Sequence, residues 1–388
     1  MVFVTPRPLK AVVDLIEDNA STFLDAIAQR LLSLEPGARG QWPSPDDQTH
    51  VSLAELLTSL LDGTGPEGKV EQETLDYFKA LAVDYRRFGV SPKSLLALGE
   101  AIRIELRILC ADLPFETVLF AERAVSATAL AMSASAQKAE DEGVLPFISA
   151  QVVEVEKRSR RFSVVRLQAE QPLPYQAGQF VPVSTDYLPN TWRYFCPSIP
   201  ANEWGQVEFH IQSDVDDISR LLATTHLGDR WIIGPGQGDF GQVKMCEPND
   251  LLFIAHGTGL APLRAYMFEL LNQATPPRLH FFVGADYPGE LYDLMGMWNF
   301  AAASPWLSVV PVTTHEKDEW WVQSTEASKP PRGLHLQQVG SMAKIVTDVG
   351  AWADRNVLIA GPEQWARDIK RAMIRRGTPA GQIEILGF

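Results

Sequence analysis

The stretch Leu251-Leu-Phe-Ile-Ala-His-Gly-Thr-Gly-Leu-Ala-Pro-Leu-Arg-Ala-Tyr-Met-Phe-Glu-Leu-Leu271 decides the fold of the second half of the chain. It begins with an apolar run too short for a helix of its own, turns at Gly257-Thr-Gly259, and continues with apolar residues at helical spacing. The pattern predicts a strand, a tight turn and a helix. In such a unit the glycines let the backbone approach a ligand closely, and the helix start favours a phosphate. Glycine turns also simply connect strands to helices. The surrounding sequence must therefore decide whether this turn binds a phosphate or only connects the two elements.

Length and composition limit the classes of protein that the chain can belong to. A chain of 388 residues, 46% of them hydrophobic, predicts two or three domains with large cores. The formal net charge of −14 and the isoelectric point near 5.0 argue against nucleic-acid binding and against anionic membranes. We therefore expect neither nucleic acid nor membrane among the partners.

The cysteines and the first residues bear on cofactors and location. Cys110, Cys196 and Cys246 lie far apart without Cys-x-x-Cys spacing, so they cannot supply a four-thiolate iron–sulfur cluster, and we predict no metal ligands. Scattered thiols favour a reducing compartment. The segment Met1-Val-Phe-Val-Thr-Pro-Arg-Pro lacks the pattern of a secretion signal, and the sequence contains no uncharged apolar run of transmembrane length. These features predict a cytoplasmic protein.

The periodicity of apolar residues divides the chain into three regions. Residues 1–145 carry apolar residues at three- and four-residue spacing between Gly- and Pro-containing breaks, which predicts an all-α domain. Residues 146–248 contain short β-branched runs typical of an antiparallel barrel. In residues 249–388, apolar strands alternate with helical segments, which indicates a parallel sheet covered on both faces. Most of the excess of acidic over basic residues lies in the helical region. This charge indicates either a solvated surface or a docking face for a basic partner.

Several motifs follow one another in a meaningful order after residue 146. They are Tyr175-Gln-Ala-Gly-Gln-Phe180, Trp192-Arg-Tyr-Phe-Cys-Pro-Ser198, His210-Ile-Gln212, Asp217-Ile-Ser-Arg-Leu-Leu222, Gly234-Pro-Gly-Gln-Gly238, the Gly257 turn and Ala360-Gly-Pro-Glu363. On these motifs, residues 146–388 resemble the ferredoxin–NADP reductase superfamily, and in particular the reductase half of flavohemoglobins. The resemblance implies an FAD-binding β-barrel over 146–248 and an NAD(P)H-binding α/β domain over 249–388. The alternative for Arg193-Tyr-Phe-Cys196 is that it is merely the exit of a strand, with only a structural role.

The resemblance also implies a set of site residues. Phe195 and Cys196 match the catalytic positions beside the flavin ring, where Phe keeps the stacking surface and Cys replaces the usual Ser hydroxyl with a weaker donor. Ser219 matches a phosphate-binding helix start, although Asp214, Asp216 and Asp217 stand where the family has glycines. The implied cofactor-binding residues are Arg193, Tyr194, Phe195, Cys196, His210, Gln212, Ser219, Gly257, Thr258, Gly259, Pro262, Asp286, Gly361, Pro362 and Phe388.

Three further expectations concern the nicotinamide side and the C-terminus. Asp286, after the second strand, should accept hydrogen bonds from ribose hydroxyls and repel a 2′-phosphate, which predicts NADH rather than NADPH. His256 beside the turn is a packed neighbour or a phosphate donor. Either Leu386 or Phe388 is the residue that covers the flavin, and we select Phe388 for the cofactor-binding set.

Upstream of such a reductase, flavohemoglobins carry a globin, and residues 1–145 resemble one. Tyr85 stands where the proximal haem histidine would be, Ala28 replaces the distal tyrosine, and Trp42 takes the place of a haem-packing Phe. Because haem needs an axial ligand, we expect this domain to be haem-free, with Tyr85 as a packing residue. Haem bound through Tyr85 or His50 is the alternative.

These expectations predict a function by subtraction. With FAD and NADH but no cluster, no second flavin domain and no haem, the electrons must leave the chain. We expect an FAD-dependent NADH oxidoreductase that reduces an external acceptor, such as an oxygenase or another haem or iron protein, with the globin-like domain used for docking. The alternative is a flavohemoglobin with unusual haem ligation that acts as a nitric oxide dioxygenase, and a third class is a redox sensor or scaffold.

Overall fold

The change from helical to strand periodicity near residue 146 is present in the computed structural model, which describes residues 9–43, 49, 51–188, 190–329 and 337–388. The described chain divides into two compact units. The first comprises the described residues up to Phe147 together with those of Tyr187–Trp192, and the second comprises Ile148–Asp186 and Arg193–Phe388. The predicted three-domain division at residues 145 and 248 stays a prediction.

The first unit is helical, as predicted. A capping box of Ser52 and Glu55 begins its third helix, and Ser91 caps the fifth, which has Pro92 in its first turn. Gly99 allows the two longest helices to cross closely, since a Cβ there would lie 2.3 Å from that of Ala129. The helices are α1 (Lys10–Asp18), α2 (Ala20–Leu34), α3 (Leu53–Asp62), α4 (Gln72–Tyr85), α5 (Pro92–Leu109) and α6 (Phe115–Asp141).

Within the described residues, no helix is both long enough and apolar enough to cross a bilayer.

The first sheet of the second unit is antiparallel and nearly closed. Its strands are β1 (Ile148–Lys157), β2 (Phe162–Ala169), β3 (Val181–Thr185), β4 (Arg193–Phe195), β5 (Gln206–Gln212) and β6 (Arg230–Ile233), in the order β4-β3-β6-β1-β2-β5. A bridge between Pro197 and Phe209 brings the chain after β4 against β5, the opposite edge. The stacked rings of Phe209 and Trp231, 6.2 Å apart, fill the interior. The short helix α7 (Asp217–Leu222) follows β5.

The second sheet is parallel and has hydrophobic clusters on both faces, as predicted for this region. Its strand order is β10-β9-β8-β7-β11-β12, and β12 was not among the predicted strands. The elements are α8 (Gln242–Cys246), β7 (Asp250–His256), α9 (Leu260–Leu271), β8 (Leu279–Ala285), α10 (Leu294–Ala303), β9 (Leu307–Thr313), β10 (Gln338–Val339), α11 (Met342–Val349), β11 (Arg355–Gly361), α12 (Glu363–Arg376) and β12 (Ile383–Gly387).

Candidate active site

The glycine turn lies at the carboxyl end of β7, directly beside β11. Gly257 has a φ of +54°, which favours glycine, and the backbone then forms one short turn before α9. A Cβ on Gly259 would lie 2.1 Å from the carbonyl oxygen of Ala360, so only glycine allows this approach. Thr258 is half-buried in the turn, and Pro262 is buried in the first turn of α9. The predicted strand, turn and helix are therefore present, and the turn is packed against the neighbouring strand.

A cavity of about 120 Å³ opens at this edge of the sheet. Five of the predicted cofactor-binding residues line it, and they come from β5, the glycine turn, the end of β8, the start of α12 and the C-terminus. The lining residues are Arg161, Phe162, Gln212, His256, Gly257, Ala285, Asp286, Glu290, Pro362 and Phe388. The barrel and the parallel sheet thus both contribute to one cavity, as hydride transfer between two bound cofactors requires.

The C-terminal residues separate into one that lines this cavity and one that does not. Phe388 donates its backbone amide to the carbonyl of Gly361 at 3.3 Å, and its side chain, 57% exposed, lines the cavity. Leu386 instead packs against the hydrophobic cluster on one face of the sheet. Of the two candidates from the sequence, Phe388 has the position of a residue that could cover a ring in the cavity.

Asp286 lies in a charged cluster rather than alone. Its carboxylate is 3.4 Å from the guanidinium of Arg161 and 3.6 Å from Nε2 of His256. Arg161 also pairs with Glu290, at 2.5 Å, and with Asp214, at 2.9 Å. The acidic groups outnumber the permanent cation here, so the cluster disfavours a further phosphate.

His256 is the packed neighbour of the turn. Its ring lies 5.1 Å from that of Trp365, and it is mostly buried. Burial lowers the pKa of His256, and Arg161 adds to this effect while Asp286 opposes it. The imidazole is therefore neutral at pH 7 and adds no charge for a phosphate.

On the flavin side, Arg193 and Ser219 converge on a single acceptor. Asp216 pairs with the guanidinium of Arg193 at 2.6 Å and accepts from the amide and the hydroxyl of Ser219, at 2.8 and 3.0 Å. Burial opposes the charged form, but the Ser219 amide and Arg193 hold the pKa of Asp216 below its usual range. These donors suit an anion such as a diphosphate, and in this structure the carboxylate of Asp216 accepts from them.

The remaining residues of the Arg193 motif present ring surface and a thiol. Tyr194 packs its ring 4.6 Å from that of Phe180 and donates its hydroxyl to Gln237 at 3.1 Å. The ring of Phe195 lies 5.8 Å from that of Phe209. Burial raises the pKa of Cys196 to about 12, so its sulfur is a neutral thiol at pH 7 and can donate only a weak hydrogen bond.

His210 is buried beneath the turn and does not line the cavity. Its two ring nitrogens lie 2.9 Å from the hydroxyl of Tyr292 and 3.2 Å from the carboxylate of Glu208. The Tyr292 hydroxyl donates in turn to the carbonyl of Gly257 at 3.4 Å. Arg264 of α9 pairs with Glu208 at 2.8 Å. Against the effect of burial, the hydrogen bond from His210 and the charge of Arg264 hold the pKa of Glu208 well below its usual range. His210 therefore supports the turn from below.

Comparisons with known proteins agree with this arrangement, although no protein-family model matches the chain. The reductase component of phenol 2-monooxygenase from Pseudomonas sp. (strain CF600) is 29% identical over 163 residues, which is 40% of this chain and 45% of that protein. An NAD(P)H-flavin reductase from Aliivibrio fischeri is 26% identical over 228 residues, covering 55% of this chain and 86% of that protein. The relatives are reductases. The structure of a flavohemoglobin from Malassezia yamatoensis with bound FAD and haem covers 99% of both chains, with a TM-score of 0.68 and 16% identity.

These matches confirm the predicted fold class, with its globin-like helical region, its barrel and its parallel nucleotide-binding sheet. The sequence relatives are by name a reductase component and an NAD(P)H-flavin reductase, in agreement with the predicted class of enzyme, an oxidoreductase. The chain spans less than half of the length of the phenol 2-monooxygenase reductase component. The likeness to the flavohemoglobin concerns the fold alone.

The helical unit does not offer the ligand set of an ordinary globin among the residues that the structure describes. A cavity of about 300 Å³ lies between its helices, and Ala28, Trp42 and Tyr85 line it as the resemblance implies. Tyr85 is buried, with its ring 6.5 Å from that of Trp42 and 5.7 Å from that of Phe88. The described lining contains neither histidine nor cysteine, and His50 lies outside the described residues. Imidazole ligation of haem therefore has no support from this lining.

Sequence reasoning missed Arg161, Glu290 and the pair of Glu208 with Arg264. Arg161 precedes β2 in a short polar segment that has no motif, and only the approach of β5 and β8 gives it a role. A charged residue at Glu208 between two apolar neighbours in β5 is a weak signal, because the same pattern describes a strand with one solvated face. The sequence shows an acidic residue at Asp216 where the family has glycine, but it does not predict the contact of Asp216 with Arg193.

Proposed function

We propose that this protein oxidises NADH through FAD and passes the electrons to a separate oxygenase component. The observation that carries the proposal is the shared cavity. The glycine turn at Gly257 and the strand end at Pro362 belong to the nucleotide-binding sheet, whereas Gln212 belongs to the barrel, and all three line one cavity with Phe388. Two cofactors held on these two scaffolds would meet there.

Each site residue has a physical task in this proposal. FAD, when bound, supplies an acceptor for a hydride and a donor of single electrons. Arg193 and Ser219 hold its diphosphate, because both donate toward the position that Asp216 now fills. Phe195 provides ring surface, and the Cys196 thiol offers a weak hydrogen bond to the reactive part of the ring.

On the nicotinamide side, the amides after Gly257 face the pyrophosphate of the nucleotide. Asp286 accepts from the ribose hydroxyls and, with Glu290 nearby, disfavours a 2′-phosphate, so NADH is the preferred donor. Gly361 and Pro362 lie beside this turn, since β7 and β11 are neighbouring parallel strands.

An oxygenase component is the acceptor that the relatives favour. The phenol 2-monooxygenase relative is by name the reductase component of an oxygenase. The chain has only three cysteines, so it lacks the thiolates for an iron–sulfur cluster of its own, and electrons must pass to another protein or a small molecule. We assign docking of that partner to the globin-like unit, whose acidic excess suits a basic surface. A cytoplasmic location agrees with such a role and stays a prediction.

One observation favours a second candidate function. Tyr85 lines the cavity of the helical unit, and a phenolate oxygen is a known type of axial ligand of haem iron. The chain would then be a flavohemoglobin with unusual ligation that acts as a nitric oxide dioxygenase.

An absorbance spectrum of the purified protein, before and after anaerobic addition of NADH, tests the proposal. We expect flavin bands that bleach with NADH and no Soret band. A strong Soret band supports the second candidate, whereas a colourless protein that ignores NADH after FAD is supplied refutes both.

A pair of glycine variants tests the placement of the nicotinamide nucleotide. Gly259→Ala places a methyl group against the carbonyl of Ala360 and should raise the KM for NADH at least about tenfold, through displacement of the turn. Gly381→Ala is the matched control, because a Cβ there meets open space. Equal KM values for the two variants would contradict the placement.

A further inference from the structure

The cavity of the helical unit is large and lined almost entirely by apolar side chains. It lies between α2, α3, α4, α5 and α6 and has a volume of about 300 Å³. An apolar cavity of roughly 150 Å³ stays free of water and binds benzene, so this volume suits a molecule of about two fused rings. Among the described residues, the lining contains no charged side chain, which disfavours an ionised ligand because nothing would offset its desolvation.

Two polar atoms in the lining are buried and have no hydrogen-bond partner among the residues that the structure describes. The hydroxyl of Thr128, a residue 3% exposed in the middle of α6, makes no hydrogen bond, although a helical threonine usually bonds a backbone carbonyl of the preceding turn. The indole N–H of Trp42 likewise has none. Buried polar atoms normally form hydrogen bonds, and a buried donor or acceptor without one destabilises a protein measurably. Both atoms belong to side chains that line the cavity, so a ligand there could satisfy them.

The chemistry of these two atoms narrows the class of ligand. An indole N–H donates only, and a threonine hydroxyl donates and accepts. A neutral hydroxyl group on the ligand could accept from Trp42 and donate to Thr128, whereas a hydrocarbon would leave both unmet. A carboxylate could accept from both Trp42 and Thr128, but it would carry a negative charge into an apolar cavity that has no charged side chain to offset its desolvation.

We propose that the helical unit binds a neutral aromatic alcohol of about two rings in the cavity between α2, α3, α4, α5 and α6, with Trp42 and Thr128 recognising its hydroxyl. The helical unit is then a ligand-binding module, and its ligand lies in the cavity where a globin holds haem. The inference stands apart from the proposed electron transfer, since none of its residues belongs to the flavin or nicotinamide site.

Calorimetric titration of the full-length protein with 2-naphthol tests the inference, with naphthalene, decanoate and haemin as comparison probes. We expect 2-naphthol to bind with a stoichiometry of one and naphthalene to bind about tenfold more weakly, because it lacks the hydroxyl. Thr128→Val keeps the volume of the side chain and should weaken 2-naphthol binding about fivefold without affecting naphthalene. Trp42→Phe should do the same.

Thr117→Val is the matched control, since Thr117 lies on α6 but does not line the cavity. Leu57→Trp should fill the cavity and abolish binding of both ring compounds, with folding checked by circular dichroism. The isosteric Thr128 variant keeps the test decisive if the Leu57 variant does not fold. Absence of 2-naphthol binding, equal affinities in the Thr128 and Thr117 variants, or tight binding of haemin or decanoate in place of 2-naphthol would overturn the inference.

Discussion

Replacing Asp216 by Asn should make the protein bind FAD more tightly. The carboxylate of Asp216 accepts from Arg193 and from the Ser219 amide, the two groups to which we assign the FAD diphosphate. In the wild type, FAD must therefore compete with an internal anion or tolerate its charge. Asn removes the charge but remains a favourable residue at the start of a helix, so α7 should persist.

The magnitude follows from the distance and exposure of the charges. Two unit charges about 5 Å apart interact by about 1 kcal/mol in water and about 3 kcal/mol in a protein surface environment. The side chain of Asp216 is 22% exposed, so its repulsion of a phosphate should fall between these limits. An affinity gain of about 1 to 3 kcal/mol corresponds to FAD binding that is roughly 5- to 150-fold tighter.

Titration of flavin-free protein with FAD, followed by quenching of flavin fluorescence, measures the change. Asp217→Asn is the matched control, because that side chain is 92% exposed and pairs only with Arg220 on the surface. It should leave FAD affinity unchanged within about twofold. If Asp216→Asn binds FAD no more tightly than the control, or more weakly, then Arg193 and Ser219 do not hold the diphosphate. Because the pKa of Asp216 lies below its usual range, the wild-type affinity should not rise between pH 7 and pH 5.

Three further changes test other parts of the site. Asp286→Arg should shift the ratio of kcat/KM for NADPH over NADH upward at least about tenfold, and Asp348→Arg, on an exposed helix face, should not. Cys196→Ser supplies a stronger donor and should speed flavin reduction by NADH a few fold in stopped-flow measurements. Since the pKa of Cys196 is about 12, the wild-type rate should show no thiol ionisation between pH 7 and 9, and a step there would contradict this. Glu208→Gln removes one of the two carboxylates that pair with Arg264, the other being Asp293, and should lower the free energy of unfolding by about 1.5 to 3 kcal/mol in urea; a loss under about 0.5 kcal/mol would contradict the buried pair.

The layers of the fold could be predicted because each has its own periodicity. The apolar runs at Leu251–Ala255, Leu279–Val283, Leu307–Pro311 and Val357–Ala360 all lie within β7, β8, β9 and β11. β12 was missed because Ile383-Glu-Ile-Leu-Gly387 is short and reads equally well as the end of a helix. Its pairing with β11 depends on the rest of the sheet, and a local sequence pattern cannot predict that pairing.

The nucleotide side of the site was easier to predict than the barrel side. Parallel strands end at one edge of a sheet, so the residues that follow them, such as Gly257, Asp286 and Pro362, are brought together by topology alone. Arg161 and Glu290 join them only through the packing of the barrel against the sheet. The pairing of Arg193 with Asp216 likewise connects two segments that lie apart in sequence. From the sequence alone, Asp216 is only an acidic residue that would repel a diphosphate nearby.

The cavity of the helical unit has a consequence for the stability of that unit. Apolar residues pack its helices, and the cavity between them is lined by Tyr85 and Ala28, which the resemblance assigns to the positions of the iron ligand and the distal phenol. Side chains that face an empty space lack contacts on that side, so the cavity of about 300 Å³ destabilises the helical unit while it is empty. An occupant that contacts these walls and meets the unpaired groups of Trp42 and Thr128 would recover much of that loss. The melting temperature of the helical unit should therefore rise with 2-naphthol, and a protein that melts equally high without any occupant would show that the helices close over the space by themselves.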